Sequence, residues 1–221
     1  MTRRRGSTGV RACVGVVRYL FLVTITPPDN LELIKKVLGK DYLELTLKHL
    51  AVEEEPGVQT RVKVAVADGG APVEIEGTGV GVVDALYAAM LARFALEYQS
   101  LKSIQLAGFT VDADVESKKS KTGVDAVGTV TIDVTNSEGR RFTFSDSSRS
   151  VTGSVARAVV AVVQYFINAE RAFITLHKAR KDALDRGRPD LVARFTAELA
   201  EVVESTSYAE VIEQIKRDAG V

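Results

Sequence analysis

The spacing of apolar residues changes period several times along this chain, and each change marks an element. In "YLELTLKHLAVEEE", Leu43, Leu45 and Leu47 alternate with Glu44, Thr46 and Lys48, the period-two rhythm of a half-buried strand. "TRVKVAVADGGAPVEIEG" sets Val62, Val64 and Val66 on one face, turns at Asp68, Gly69 and Gly70, and returns through Val73 and Ile75, which predicts a hairpin. The period then lengthens. Val83, Leu86, Tyr87, Met90, Leu91, Phe94 and Ala95 recur at helical spacing and predict an amphipathic helix from about Val82 to Tyr98. The succession then repeats. "SIQLAGFTVDADVE", "DAVGTVTIDVTN" and "RRFTFSD" read as three further strands, with a turn from Asn136 to Gly139 between the last two. A second long helix follows from about Val151, carrying Val155, Ala158, Val159, Val162, Val163 and Phe166. Two βββα units in tandem are an internal repeat. The expected fold is therefore α+β, with antiparallel sheets related by a pseudo-twofold and a helical C-terminal extension.

The flanks complete the layout. "NLELIKKVLGK" places Leu31, Ile34 and Leu38 on one helical face, and Gly39 is the expected stop. Before it, "TRRRGSTGVRACVGVVRYLFLVTIT" has the basic start and apolar run of a signal peptide, but Arg18 interrupts the run and no small-x-small cleavage site follows Ile25. Its apolar stretches are also far shorter than the roughly 20 residues of a membrane span. A strand from about Val14 to Thr26, stopped by Pro27 and Pro28, is the expectation there, with Met1 to Thr8 as a poorly ordered arm. In the tail, Pro189 can open a helix whose stripe is Leu191, Val192, Phe195, Leu199 and Val202. Ser207 with Glu210 forms a capping box ahead of Val211, Ile212 and Ile215. The chain thus divides into residues 1–41 (arm, strand and short helix), a body over 42–178 built of units 42–99 and 100–178, and a helical extension over 179–221.

Composition narrows the chemistry. A 46% hydrophobic content over 221 residues is enough for a real core. Twenty-nine basic and 29 acidic residues cancel, which removes the electrostatic footprint of a nucleic-acid binder. Cys13 alone allows no internal disulfide, and His49 with His177 makes no histidine-rich metal site, so the expectation is a cytoplasmic chain with no metal, no cofactor and no membrane partner. Ser145, Asp146, Ser147 and Ser148 cluster, but no histidine shares their local motif to activate a nucleophile, and a solvated turn is the reading.

The glycines of "EGTGVGVVDALYAAM" invite comparison with a nucleotide cradle. A dinucleotide fingerprint needs G-x-G-x-x-G after a parallel strand; here Val82 stands at the third position, Gly81 falls one residue early, and the preceding strands form a meander. A phosphate-binding loop needs Gly-Lys-Ser or Gly-Lys-Thr, and no lysine is near. What remains is a helix start with unpaired N–H groups, suited to an anion such as a carboxylate. Asp84 in its first turn reads either as a capping acid or as the receiver of an ammonium group.

These residues resemble the Glu-Gly-x-Gly-Pro-Val-Asp-Ala-Leu segment in the C-terminal regulatory domain of the 2-isopropylmalate and citramalate synthases. The likeness continues in order through "YQSLKSIQLAGFTVDADV", "AVGTVTIDVTNSEGRRFTF" and "SRSVTGSVARAVVAVVQYFIN", with Ser154, Ala158 and Asn168 at positions the family pattern marks. It spans about Tyr42 to Asn168. The resemblance implies a homodimer that binds leucine or isoleucine between two glycine-bearing helix starts, one walled by Gly79, Gly81, Val82 and Asp84 and the other by Ser150, Val151, Thr152 and Ser154. Val82, Leu86, Val151 and Val155 would enclose the effector's aliphatic side chain. Two departures stand out: Val80-Gly81-Val82-Val83 replaces the family's Pro-Val, and the second turn lacks the usual acid before its helix. The synthases carry catalysis on a TIM barrel of about 250 residues with a metal-binding His-x-His. This sequence has no His-x-His and no room for such a barrel, so the expectation is a non-catalytic branched-chain amino-acid sensor acting on a separate catalytic synthase chain. A structural or assembly protein, keeping the fold without an effector and acting through its helical tail, is the alternative.

Overall fold

A computed structural model describes residues 30–113, 127–203 and 213. The strand expected over 14–26, the arm at 1–8 and the capping box at Ser207 and Glu210 lie outside the described residues. The described chain runs α1 (Leu31–Leu38), β1 (Thr46–Glu55), β2 (Gln59–Ala67), β3 (Val73–Gly79), α2 (Val82–Phe94), β4 (Gln105–Ala113), β5 (Gly128–Thr135), β6 (Arg141–Ser148), α3 (Val151–Asp185) and α4 (Pro189–Val203). Two three-stranded antiparallel sheets, ordered β1-β2-β3 and β4-β5-β6, realise the two βββα units. The α+β fold expected from the period changes is the fold observed.

The repeat extends to an irregularity. β1 is bulged between Leu47 and His49, and β4 between Leu106 and Gly108, at matching places on the first strand of each unit. A bulge inserts one residue and flips the alternation beyond it. Leu50 and Val52 therefore pair with Val64 and Val62 on the same face as Leu47 with Val66, although the sequence spacing between Leu47 and Leu50 is odd. The strand also starts later than the alternation implies, at Thr46, because the backbone at Leu43 and Leu45 bonds to a helix instead of to a strand.

That helix is α3, which packs on β5, β6, β1, α1, α2 and α4. By length and composition it is apolar enough to cross a bilayer, yet 72% of its most apolar window is buried inside the fold. Its polar residues tie down the connections. Asn168, fully buried, accepts from the Leu43 N–H and donates to the Leu43 carbonyl, both at 2.8 Å, and Gln164 accepts from the Leu45 N–H at 2.7 Å. The Glu170 carboxylate accepts from the Ser100 N–H at 2.9 Å and its hydroxyl at 2.8 Å, fixing the 3-10 turn Gln99–Ser103 that leads into β4. Buried polar groups of this kind are tolerated because each is hydrogen-bonded. Tyr165 donates to Asn30 at 2.7 Å, and Asn30 donates to the Glu201 carbonyl, so one chain of bonds joins α3, the start of α1 and α4. The apolar stripe of α4 is taken up here: Val202 is buried, and Phe195 and Leu199 pack against the same core.

α2 ends at Phe94, four residues before the expected limit. It is buried on more than one face. Ala85 and Ala89 lie against β3, while Leu86, Tyr87 and Met90 are also in the core. Tyr87 donates to the Ile104 carbonyl at 2.9 Å, and burial pushes its phenol pKa up.

Candidate functional site

The first helix start is built from two glycines that cannot be anything else and one that can. A Cβ on Gly77 would meet Ala89 Cβ at 2.6 Å, and one on Gly79 would meet the Ala85 backbone nitrogen at 2.5 Å. β3 therefore lies directly on α2, closer than any side chain allows. Gly81, the N-cap, is extended at φ −153° with open space where a Cβ would stand, and no side chain caps the helix. Asp84 reaches back to accept from the Val80 N–H at 3.1 Å, which makes it the first-turn acid of the two readings the sequence allows. Val80 is 91% exposed and Val82 half-buried at this opening.

The second start is closed by its own side chains. Ser150 is the N-cap and accepts from the Gly153 N–H at 3.1 Å. Ser154, fully buried, shares a 2.8 Å hydrogen bond with Ser148, whose hydroxyl also accepts from Arg157 Nη2 at 2.8 Å. Arg157 makes a fork on Asp146, with Nε at 3.0 Å and Nη2 at 2.7 Å. Burial raises the Asp146 carboxyl, but the hydrogen bonds from Arg157 and Ser154 outweigh that and hold its pKa below the usual carboxylate range. Val151 and Thr152 are exposed.

The polar run at Ser145 to Ser148 is the end of β6, not the solvated turn its composition implies. Strand alternation divides it. Ser145 and Ser147 bond to Thr131 and Thr129 across the ladder, while Asp146 and Ser148 turn the other way, to Arg157. Arg157 is the site residue that motif matching passes over. Its signal was a lone cation in "SVARAVVAVV", an otherwise apolar helical run.

Each set of expected residues is thus gathered at its own helix start. α2 and α3 pack on each other, but among the described residues no hydrogen bond joins the Gly79–Asp84 group to the Ser150–Ser154 group. Leu86 and Val155, expected to enclose an aliphatic ligand, are buried in the core, which leaves Val82 and Val151 as the apolar residues with surface to offer. A separate groove of about 360 Å³ lies between residues 44–47 and α3, with Leu45, Leu47, Val160 and Ala161 among its walls and Arg157 and Gln164 at its polar side. No group of three acidic, histidine or cysteine side chains gathers as a metal site among the described residues.

Comparison with known proteins matches this architecture. No curated protein matches the chain. Residues 24–167 match the LeuA allosteric (dimerisation) domain, a stretch that takes in both βββα units and the first half of α3. With both units, both glycine-bearing helix starts and most of its length inside that match, the chain belongs to the LeuA allosteric (dimerisation) domain family.

Proposed function

We propose that this chain is a non-catalytic regulatory module that, as a homodimer, senses a branched-chain amino acid, leucine or isoleucine, on behalf of a separate synthase chain. Membership of an allosteric dimerisation family supports the regulatory and dimeric parts of this reading. The observation that carries the ligand is the uncapped start of α2: an N-cap without a side chain, an open approach at Gly81, and Val80 and Val82 beside it. Unpaired first-turn N–H groups attract a carboxylate, and burying an aliphatic side chain contributes about 1.5 to 3 kcal/mol. Selection among leucine, isoleucine and valine rests on single methylenes, worth about 1 to 3 kcal/mol each.

Amide hydrogen exchange with and without saturating leucine tests the location. Slowed exchange at residues 79–84 and 150–154 is the expected outcome. Slowing elsewhere alone would move the site away from the helix starts.

The closed second start favours a different reading, an assembly module without an effector, since Ser150, Ser148 and Arg157 already occupy the groups a ligand would use. Assembly through the stripe of α4 is not favoured, because that stripe packs into this chain's own core.

A further inference from the structure

The internal repeat lets the two helix starts be compared residue against residue. In the ladders, Thr60 of β2 pairs with Gly79 of β3, and Gly128 of β5 with Ser148 of β6. Each helix begins three residues after the second member of its pair, α2 at Val82 and α3 at Val151. Thr60 therefore answers to Gly128, and Gly79, Gly81, Ala85 and Ala88 stand where the second unit has Ser148, Ser150, Ser154 and Arg157. In the second start these polar groups satisfy one another: Ser150 caps α3, Ser154 bonds to Ser148, and Arg157 closes on Ser148 and Asp146. In the first start none of the four equivalent side chains can hydrogen-bond. A hydroxyl stands on the facing strand instead, at Thr60.

Thr60 keeps the parity of Val62, Val64 and Val66, which places its side chain on the helix-facing side of the sheet. It is fully buried, and its hydroxyl has no hydrogen-bond partner among the described residues. Beside it, a Cβ on Gly79 would stand 2.5 Å from the Ala85 backbone nitrogen, so the first turn of α2 lies directly over this end of the sheet. The Ala85 N–H is bonded to the Gly81 carbonyl, which leaves the N–H groups of Val82, Val83 and Asp84 without an intrahelical acceptor. An unpartnered buried hydroxyl and a set of orphan N–H donors thus meet at one place. A carboxylate answers both, since its two oxygens have lone pairs enough to accept from all of them. Asp84 does not play that part, because its own carboxylate turns back to the Val80 N–H at 3.1 Å.

We propose that Thr60 is a ligand-binding residue, its hydroxyl donating to the carboxylate of an amino acid held at the start of α2. The inference rests on the amino-acid sensing proposed above, and adds to it the side chain that reads the carboxylate. The hydroxyl is closed off from solvent in this structure, so the bond forms only as the first turn of α2 shifts on binding. Nothing equivalent exists at the start of α3, where Gly128 takes the place of Thr60 and the nearby hydroxyls are already bonded.

Calorimetric titration of leucine and isoleucine into the natural chain and Thr60→Val, with a thermal melt of each without ligand, tests this. Valine keeps the shape and removes the hydroxyl. Because that hydroxyl is unpaired, the melting temperature of the variant should be unchanged or higher by about 2 to 4 °C. Its affinity should fall about ten- to a hundredfold, the usual weight of a hydrogen bond to a charged group. Thr60→Ser, which retains the hydroxyl, should stay closer to the natural affinity than Thr60→Val. Equal affinity in the natural chain and Thr60→Val overturns the role of Thr60 and leaves the sensing reading standing. Affinity and melting temperature that fall together make Thr60 a structural residue, and overturn it as well. A natural chain that binds neither amino acid removes the sensing reading itself, and this inference with it. If Thr60→Val does not fold, Thr60→Ser against Thr60→Ala decides: tighter binding by the serine variant supports the proposal, and equal binding overturns it.

Discussion

Gly79 and Gly81 stand two residues apart in one turn and do opposite things. A methyl on Gly79 would collide with the Ala85 backbone, whereas one on Gly81 meets open space at an ordinary extended φ. Gly79→Ala should therefore cost about 1 to 3 kcal/mol, the usual range for overpacking. Gly81→Ala should cost about 1 kcal/mol or less, the difference between glycine, a fair N-cap, and alanine, a poor one. Urea unfolding of the two variants at equal slope checks the order, and equal losses would contradict the close contact of β3 with α2. The glycine alternation was plain in the sequence. Which glycine is locked was not, because the answer lies in a 2.5 Å approach to a residue on the next element. Arg157 was hidden for the same reason: its partners Asp146 and Ser148 are set by the end of β6, which local composition assigns to a turn.

Among the elements, α3 carries most of the connections, and its clamp on β6 responds to pH. The Asp146 carboxyl is held below its ordinary value of 3.8 by Arg157 and Ser154 against the opposing effect of burial. A carboxyl depressed in the folded state stabilises the fold at pH values above its unfolded pKa, and that contribution is lost as pH falls through the lower folded value. Asp146→Asn should accordingly be less stable than the natural chain at about pH 7, with the gap closing as pH falls below the ordinary carboxylate value of 3.8. Thermal melts across that window measure it, and a gap that widens toward acid would contradict the clamp. The strands and helices themselves were legible, since each has a strong period, as in Val62, Val64 and Val66 of β2. The start of β1 was not. Leu43 and Leu45 keep strand alternation while their backbone is held by Asn168 and Gln164, residues more than a hundred positions away.

At the scale of the whole molecule, the doubled βββα order followed from the periods alone, and the family match over residues 24–167 agrees with it. The exposure of Leu106, Phe109 and Val111 did not show in the sequence, because they look like Leu47, Leu50 and Val52 until the lie of α3 brings Leu47 and Leu50, though not Val52, onto the core. In the proposed homodimer the open start of α2 lies in the first unit and the capped start of α3 in the second. The central claim is that such a dimer senses a branched-chain amino acid, and a thermal melt with increasing leucine or isoleucine tests it most directly. At a hundred times Kd, binding stabilises the folded chain by about 2.7 kcal/mol, which for a chain of this size raises Tm by roughly 5 to 10 °C and saturates. A melting temperature that does not move with leucine, isoleucine or valine at millimolar concentration would contradict the account.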